Sequence, residues 1–113
     1  MAIERTLIII KPDGVQRGLV GEILNRLERR GLKIVGLDFR TINEETASRH
    51  YGEHQGKPFY NGLIEYITSG PSVLGALEGP DAVAVTRSTI GATNPVNAAP
   101  GTIRGDLGVM TGA

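Results

Sequence analysis

The stretch ERTLIIIKPDGVQRGLVGEIL, Glu4 to Leu24, decides the fold. Leu7 to Ile10 is continuously apolar, with Ile3 just upstream. That is the pattern of a strand covered on both faces, and so of a central strand. Lys11-Pro12-Asp13-Gly14 closes it with a strong turn signal. Beyond the turn, Val20, Ile23, Leu24 and Leu27 fall at i, i+3, i+4 and i+7, one face of a helix. Glu28, Arg29 and Arg30 form its solvated end, and Gly31 suits the C′ position.

Working outward, Val35, Leu37 and Phe39 alternate with Gly36, Asp38 and Arg40, which reads as a second strand. Asn43 is placed to cap a short helix whose first turn carries Glu44 and Glu45, the sign of charge the helix dipole favours there. After Gly56-Lys57-Pro58, the positions Tyr60, Leu63, Ile64 and Ile67 give another helical face, closed by Gly70-Pro71. Val73 to Leu77 reads as a third strand. Gly79-Pro80-Asp81 opens a further helix with Pro80 near its first turn. Val83, Arg87 and Ile90 share a stripe on it, and Gly91 ends it. The order β-α-β-(α-α)-β-α begins a split βαββαβ pattern with a helical pair inserted between strands two and three. That pattern calls for a fourth strand, which residues 92–113 do not supply; they hold six glycines or prolines and no periodicity. A structureless stretch of that length is functional or disordered in most domains.

The whole chain has 113 residues, enough for one domain and one modest core. Twelve basic residues balance twelve acidic ones, so no global field favours nucleic acid or an anionic membrane. Any anion site must come from local clustering. The absence of cysteine excludes a disulfide scaffold and cysteine-ligated zinc. Glu4 and Arg5 precede an apolar run too short for a signal peptide or a membrane span, so the expectation is a soluble, cytoplasmic domain.

Two familiar phosphate motifs do not apply. There is no G-x-x-x-x-G-K-[ST], and Gly14, Gly18 and Gly21 are spaced GxxxGxxG rather than GxGxxG. Side chains must therefore do much of any nucleotide holding. Lys11 at a strand exit, Arg87 on the last main helix, and Thr93 and Arg104 bracketing the long loop are the candidates. Two guanidiniums and an ammonium offset most of a triphosphate's charge, and the arginine fork matches phosphate oxygens bidentately. Taken singly, each cation reads as a solvated surface group. Arg87 on an apolar stripe reads less so, because burying it unpaired is costly.

The joint pattern is more specific. ERTLIIIKPDGVQRGLVGEIL (Glu4 to Leu24), RHYGEHQGKPFYNGLIEYITSGP (Arg49 to Pro71) and IGATNPVNAAPGTIRGDLG (Ile90 to Gly108) resemble nucleoside diphosphate kinases, and the resemblance runs over essentially the whole chain. It implies a ferredoxin-like α+β domain, an antiparallel sheet with an inserted helical hairpin. It implies transfer of the γ-phosphoryl of a nucleoside triphosphate, usually ATP, onto a histidine and then onto a nucleoside diphosphate. The matching site positions are Lys11, Tyr51, Phe59, Leu63, Arg87, Thr93 and Arg104. On that resemblance Phe59 stacks on the base with Leu63 at its edge, and Lys11 reaches the phosphates and sugar. Arg87, Thr93 and Arg104 hold the β- and γ-phosphates, and Tyr51 hydrogen-bonds near the reactive histidine. Mg²⁺ bridges phosphate oxygens rather than sitting in a protein cage. The loop after Gly91, residues 92–113, clamps phosphates and contributes to contacts in a trimer or hexamer.

The resemblance also has a gap. The family's reactive histidine lies in an N-x-x-H-G-S-D segment soon after G-T-I-R-G-D, and this sequence reads Gly101 to Asp106 and then ends on Thr111-Gly112-Ala113. His50 and His54 match the RHYxEHxGKPF stretch, where the family's histidines are not phosphorylated. The expectation is a domain, residues 1–113, that is incomplete at its C-terminal side: the fourth strand and the reactive histidine lie beyond Ala113, and the chain as given does not turn over. The alternative is a non-catalytic nucleotide-binding relative acting through partners. An RNA-binding sheet is disfavoured, because only Phe39 among the aromatics falls on an expected strand.

Overall fold

The computed structural model describes residues 3–50, 52, 56 and 60–108. Three antiparallel strands, β1 (Ile3–Ile10), β2 (Lys33–Arg40) and β3 (Ser72–Pro80), form a sheet in the order β1-β3-β2. The register sets Ile10 opposite Val73 and Ile8 opposite Gly75 on one side, and Leu37 opposite Gly75 on the other. Among the described residues six α-helices pack about the sheet: α1 (Pro12–Gln16), α2 (Val20–Arg29), α3 (Glu44–His50), α4 (Tyr60–Thr68), α5 (Ala82–Ile90) and α6 (Ile103–Leu107). This is the ferredoxin-like α+β arrangement with α3 and α4 inserted as a hairpin.

Alternation along β1 and β3 splits the interior into two cores on opposite faces of the sheet. On one face Ile8, Ile10, Val73 and Leu77 pack with Leu27 of α2, Leu32, Ala82 of α5 and Ile103 of α6. On the other, Ile9 and Leu74 meet Ile42, Ala47, Ile64 and Ile67 of the hairpin. The apolar run of β1 is thus covered on both faces from Ile8 to Ile10, whereas Leu7 is 59% exposed. Among the described residues β1 pairs only with β3, and β3 is the central strand.

The helix face expected of Val20, Ile23, Leu24 and Leu27 is the one that packs on the core. Gly31 follows the helix with φ +93, a left-handed conformation that side chains resist, and its N–H donates to the Glu28 carbonyl at 2.9 Å. The Asn43 cap forms as expected, its Oδ1 accepting from the Thr46 N–H at 2.8 Å. Lys11-Pro12-Asp13-Gly14 is the opening of a helix rather than a simple turn: Lys11 is the N-cap of α1 and Pro12 its first residue, where a missing N–H costs nothing.

Three other expectations need correction. Pro80 ends β3, opposite Ile3, and Asp81 in the left-handed region (φ 53) makes the junction before α5. Helix α5 buries Ala82 and Thr86, whereas Val83 is 39% exposed and Arg87 is exposed too. The stripe through Val83 and Arg87 therefore faces outward, and no burial cost singles Arg87 out. Residues 92–108 are also not structureless. They hold a 3-10 turn (Pro95–Asn97) and α6, each capped by a side chain: Asn94 Oδ1 accepts from the Val96 N–H, and Thr102 Oγ1 from the Gly105 N–H. On β2 the alternation is present, with a bulge between Ile34 and Gly36, but Val35, Leu37 and Phe39 are exposed.

Leu77 is completely buried at the centre of the sheet. Truncation of Leu77→Ala removes its packing and leaves a cavity, so the loss of folding stability is about 2–5 kcal/mol. Urea unfolding followed by circular dichroism measures it, and a loss below about 1 kcal/mol contradicts the assigned core.

Candidate functional site

A groove of about 470 Å³ runs beside the C-terminal half of β1. That volume lies in the range of small-molecule sites, roughly 300–1,000 Å³. Its floor is apolar, from Ile8, Ile10, Ile23 and Leu27, and its rim carries Lys11, Thr93 and Arg104, with Leu63 of α4 on one wall. Four of the seven residues singled out from sequence therefore meet at one place, although they come from segments up to 93 residues apart (104 − 11). Arg87 is not on the groove wall; it lies one helical turn before Gly91, whose N–H donates to the Arg87 carbonyl at 2.9 Å. Tyr51 and Phe59 lie outside the described residues, as do the side chains of His50 and His54.

Each rim residue is placed by local chemistry. Lys11 ends β1 and caps α1, so its side chain leaves the sheet where strand gives way to helix. The Asp13 N–H, one residue into that helix, donates to Tyr66 Oη of α4 at 3.2 Å and ties the junction to the hairpin. Arg104 sits within α6, and its Nη1 donates to the Gly91 carbonyl at 3.2 Å, which bridges the two ends of the loop. The loop is tight. A Cβ at Gly105 would overlap the Ala99 carbonyl, and one at Gly91 would lie 2.6 Å from Thr102 Oγ1.

Burial lowers the pKa of Lys11, and the neighbouring Arg104 guanidinium lowers it further. Among the described residues neither Lys11 nor Arg104 has an ion pair with a carboxylate. Two cations held near each other, one half-buried, are a charge arrangement that an anion relieves. A second cavity of about 290 Å³ lies between α3 and α4; it is rimmed by Glu44 and Glu65, the wrong sign for such a ligand.

Sequence reasoning missed two groups of residues here. Arg17, paired with Asp13 at 3.6 Å, also lines the groove; its signal was the i,i+4 spacing on one short helix. Arg26 and Asp106, 80 residues apart, form a 2.8 Å ion pair that holds α6 against α2, and no local pattern announces that pairing.

Fold and groove together define a class: a ferredoxin-like α+β domain with cations gathered on the rim of a groove. Residues 4–113 match the profile of the family described as nucleoside diphosphate kinase. The nucleoside diphosphate kinase of Thermomicrobium roseum is 62% identical over 109 residues, covering 96% of this chain and 73% of its own length. That of Herpetosiphon aurantiacus is 61% identical over the same shares. The solved structure of a halophilic nucleoside diphosphate kinase from Halobacterium salinarum in complex with CDP superposes with a TM-score of 0.95 at 54% identity, covering 98% of this chain and 73% of that one. The chain belongs to the nucleoside diphosphate kinase family. No helix among the described residues is long and apolar enough to cross a membrane.

The depressed pKa of Lys11 fixes a sign. Folding disfavours its ammonium, so the folded state binds fewer protons than the unfolded chain between the lowered pKa and the ordinary 10.5. Stability from this group therefore rises as pH climbs through that window. Lys11→Met should raise the urea midpoint at pH 7 and flatten its rise toward pH 10.5. A midpoint that falls in the variant, with the rise intact, contradicts the assignment.

Proposed function

We propose that the groove holds the phosphates of a nucleoside di- or triphosphate, as the first half of the nucleoside diphosphate kinase reaction requires. The observation that carries this reading is the Lys11–Arg104 pair, two neighbouring cations without carboxylate partners among the described residues, on a groove that also offers the Thr93 hydroxyl. The CDP held by the Halobacterium salinarum relative supports the same ligand class. Lys11 and Arg104 neutralise phosphate charge, and Thr93 donates one hydrogen bond. Arg87, on the outer face of α5 one turn before Gly91, joins them on the β- and γ-phosphates once the nucleotide is bound. Phe59 provides the stacking face for the base, with Leu63 at its edge and Tyr51 nearby. Stacking on a π-face tolerates every base, so purine and pyrimidine nucleotides are accepted alike.

In the full cycle the γ-phosphoryl leaves ATP for a histidine nitrogen, releasing ADP, and passes from there to a second diphosphate. A neutral imidazole is an able nucleophile near pH 7, and the transfer needs positioning and charge stabilisation above all. Neither His50 nor His54 is that nucleophile: both belong to the RHYxEHxGKPF stretch, apart from the phosphate loop in sequence. A polypeptide of these 113 residues and no more binds nucleotide without turning over. Among the described residues no group of three or more His, Asp or Glu side chains could hold a metal ion. The rim cations suit phosphate oxygens rather than a metal, so Mg²⁺ fits here as an ion carried by the nucleotide's phosphates, where it supplies further charge neutralisation. The chain forms one domain over residues 1–113 in which residues 92–113 serve as phosphate loop and subunit contact. It works in the cytoplasm as part of a homo-oligomer, a trimer or hexamer.

Calorimetric titration tests the binding. ADP, GDP, CDP and UDP should bind within about threefold of one another, since no base edge is read. Arg104→Ala should weaken ADP about tenfold or more, the loss of one charged hydrogen bond of ~1.5–3 kcal/mol. A preparation of confirmed 113-residue mass should show no sustained transfer from ATP to a second diphosphate. Sustained turnover refutes the assignment of the nucleophile, and unchanged ADP affinity in Arg104→Ala refutes the groove.

A further inference from the structure

The ion pair that binds α2 to α6 lies outside the groove, yet it grips the turn that carries Arg104. Arg26 of α2 is half-buried. Its Nη1 donates to Asp106 Oδ2 at 2.8 Å and to the Thr102 carbonyl at 3.4 Å, while its Nε donates to Glu22 Oε1 at 2.9 Å. Asp106 Oδ1 in turn accepts the Gly101 N–H at 2.9 Å. One guanidinium and one carboxylate thus hold both ends of the segment from Gly101 to Asp106, and Arg104 stands between them. The hydrogen bond from the Gly101 N–H, and after it the one from Arg26, lower the pKa of Asp106, as expected of a carboxylate charged throughout the neutral range.

That grip has work to do. Within the segment only Ile103 reaches the main core, so apolar packing alone fixes one point and leaves rotation about it. The Arg26–Asp106 contacts remove that freedom, and the tight fit at Gly105 leaves the backbone little slack. Arg104 then extends toward Gly91 and Lys11, away from its anchor.

We propose that Arg26 is a positioning residue for the phosphate site: paired with Asp106, it holds the Gly101–Asp106 turn so that Arg104 is presented to the ligand before the ligand arrives. The proposal rests on the groove being a phosphate site. Arg26 does not line the groove, so its effect on affinity passes through Arg104.

A double-mutant cycle read by ADP calorimetry separates this from a purely structural role. The variants are Arg26→Met, which keeps the aliphatic stem and loses the charge, Arg104→Ala, and the two combined. Arg26→Met alone should weaken ADP about 5- to 30-fold, the coupling expected of groups sharing one network. In the Arg104→Ala background the same substitution should change affinity less than about twofold, because the side chain it positions is gone. The thermal midpoint should fall equally in both backgrounds. Equal weakening of ADP in both backgrounds overturns the proposal, as does unchanged affinity in a folded Arg26→Met protein. Should Arg26→Met fail to fold, Asp106→Asn replaces it: the amide oxygen still accepts from Gly101, only the ion pair is lost, and the same coupling is required. If Arg104→Ala alone leaves ADP affinity unchanged, the groove reading fails first, which is a distinct outcome.

Discussion

Two like charges held at one end of a strand are the constraint around which the site is built. Lys11 must leave the sheet where β1 turns into α1, and Arg104 must come back to it from a loop that starts 13 residues earlier at Gly91 (104 − 91). Burial first, and the nearby Arg104 guanidinium in addition, disfavour the Lys11 ammonium in the folded protein. A fold tolerates such an arrangement when something else supplies stability, and here the two cores on either side of the sheet do so. An anion between the two cations would remove that repulsion.

Helix α5 and the loop after it illustrate how stability and function are divided. Its inner face, Ala82 and Thr86, belongs to the core, and Glu4 Oε1 of β1 accepts the Val83 N–H at 3.2 Å to satisfy one of its first free donors. Its outer face carries Arg87. Beyond Gly91, polar contacts take over from apolar ones: side-chain caps at Asn94 and Thr102, the Arg104 bond to Gly91, and the Arg26–Asp106 pair. The loop buries little apolar surface at its tip. Hydrogen bonds and one ion pair fix its shape in place of a core.

Much of this was legible in the sequence, and the failures have physical causes. The helix face from Val20 to Leu27, the Asn43 cap, the glycine after α2 and the order of elements all follow from local rules, because each rests on residues within two turns of one another. The apolar run of β1 was read as covered on both faces, and that holds from Ile8 to Ile10 but not at Leu7, which stays exposed because neither core reaches it. The Arg87 stripe failed because Val83 and Ile90 suggested one apolar face, when the packed face begins at Ala82, one residue earlier. Residues 92–108 looked structureless because short capped turns leave no periodicity. Lys11, Thr93 and Arg104 were legible from their residue types and places in the chain and Leu63 from the family resemblance, and the groove brings the four together; Arg26 was not found, because its ion-pair partner lies 80 residues away.

The central claim is that Lys11 and Arg104 form a site for nucleotide phosphate. It is tested most directly by following the Lys11 side chain by NMR through a pH titration, with and without ADP. In the free protein the Lys11 pKa should lie below the ordinary 10.5, and ADP should raise it, because a bound phosphate both pairs the ammonium and screens Arg104. A Lys11 pKa that stays depressed at saturating ADP would contradict the claim.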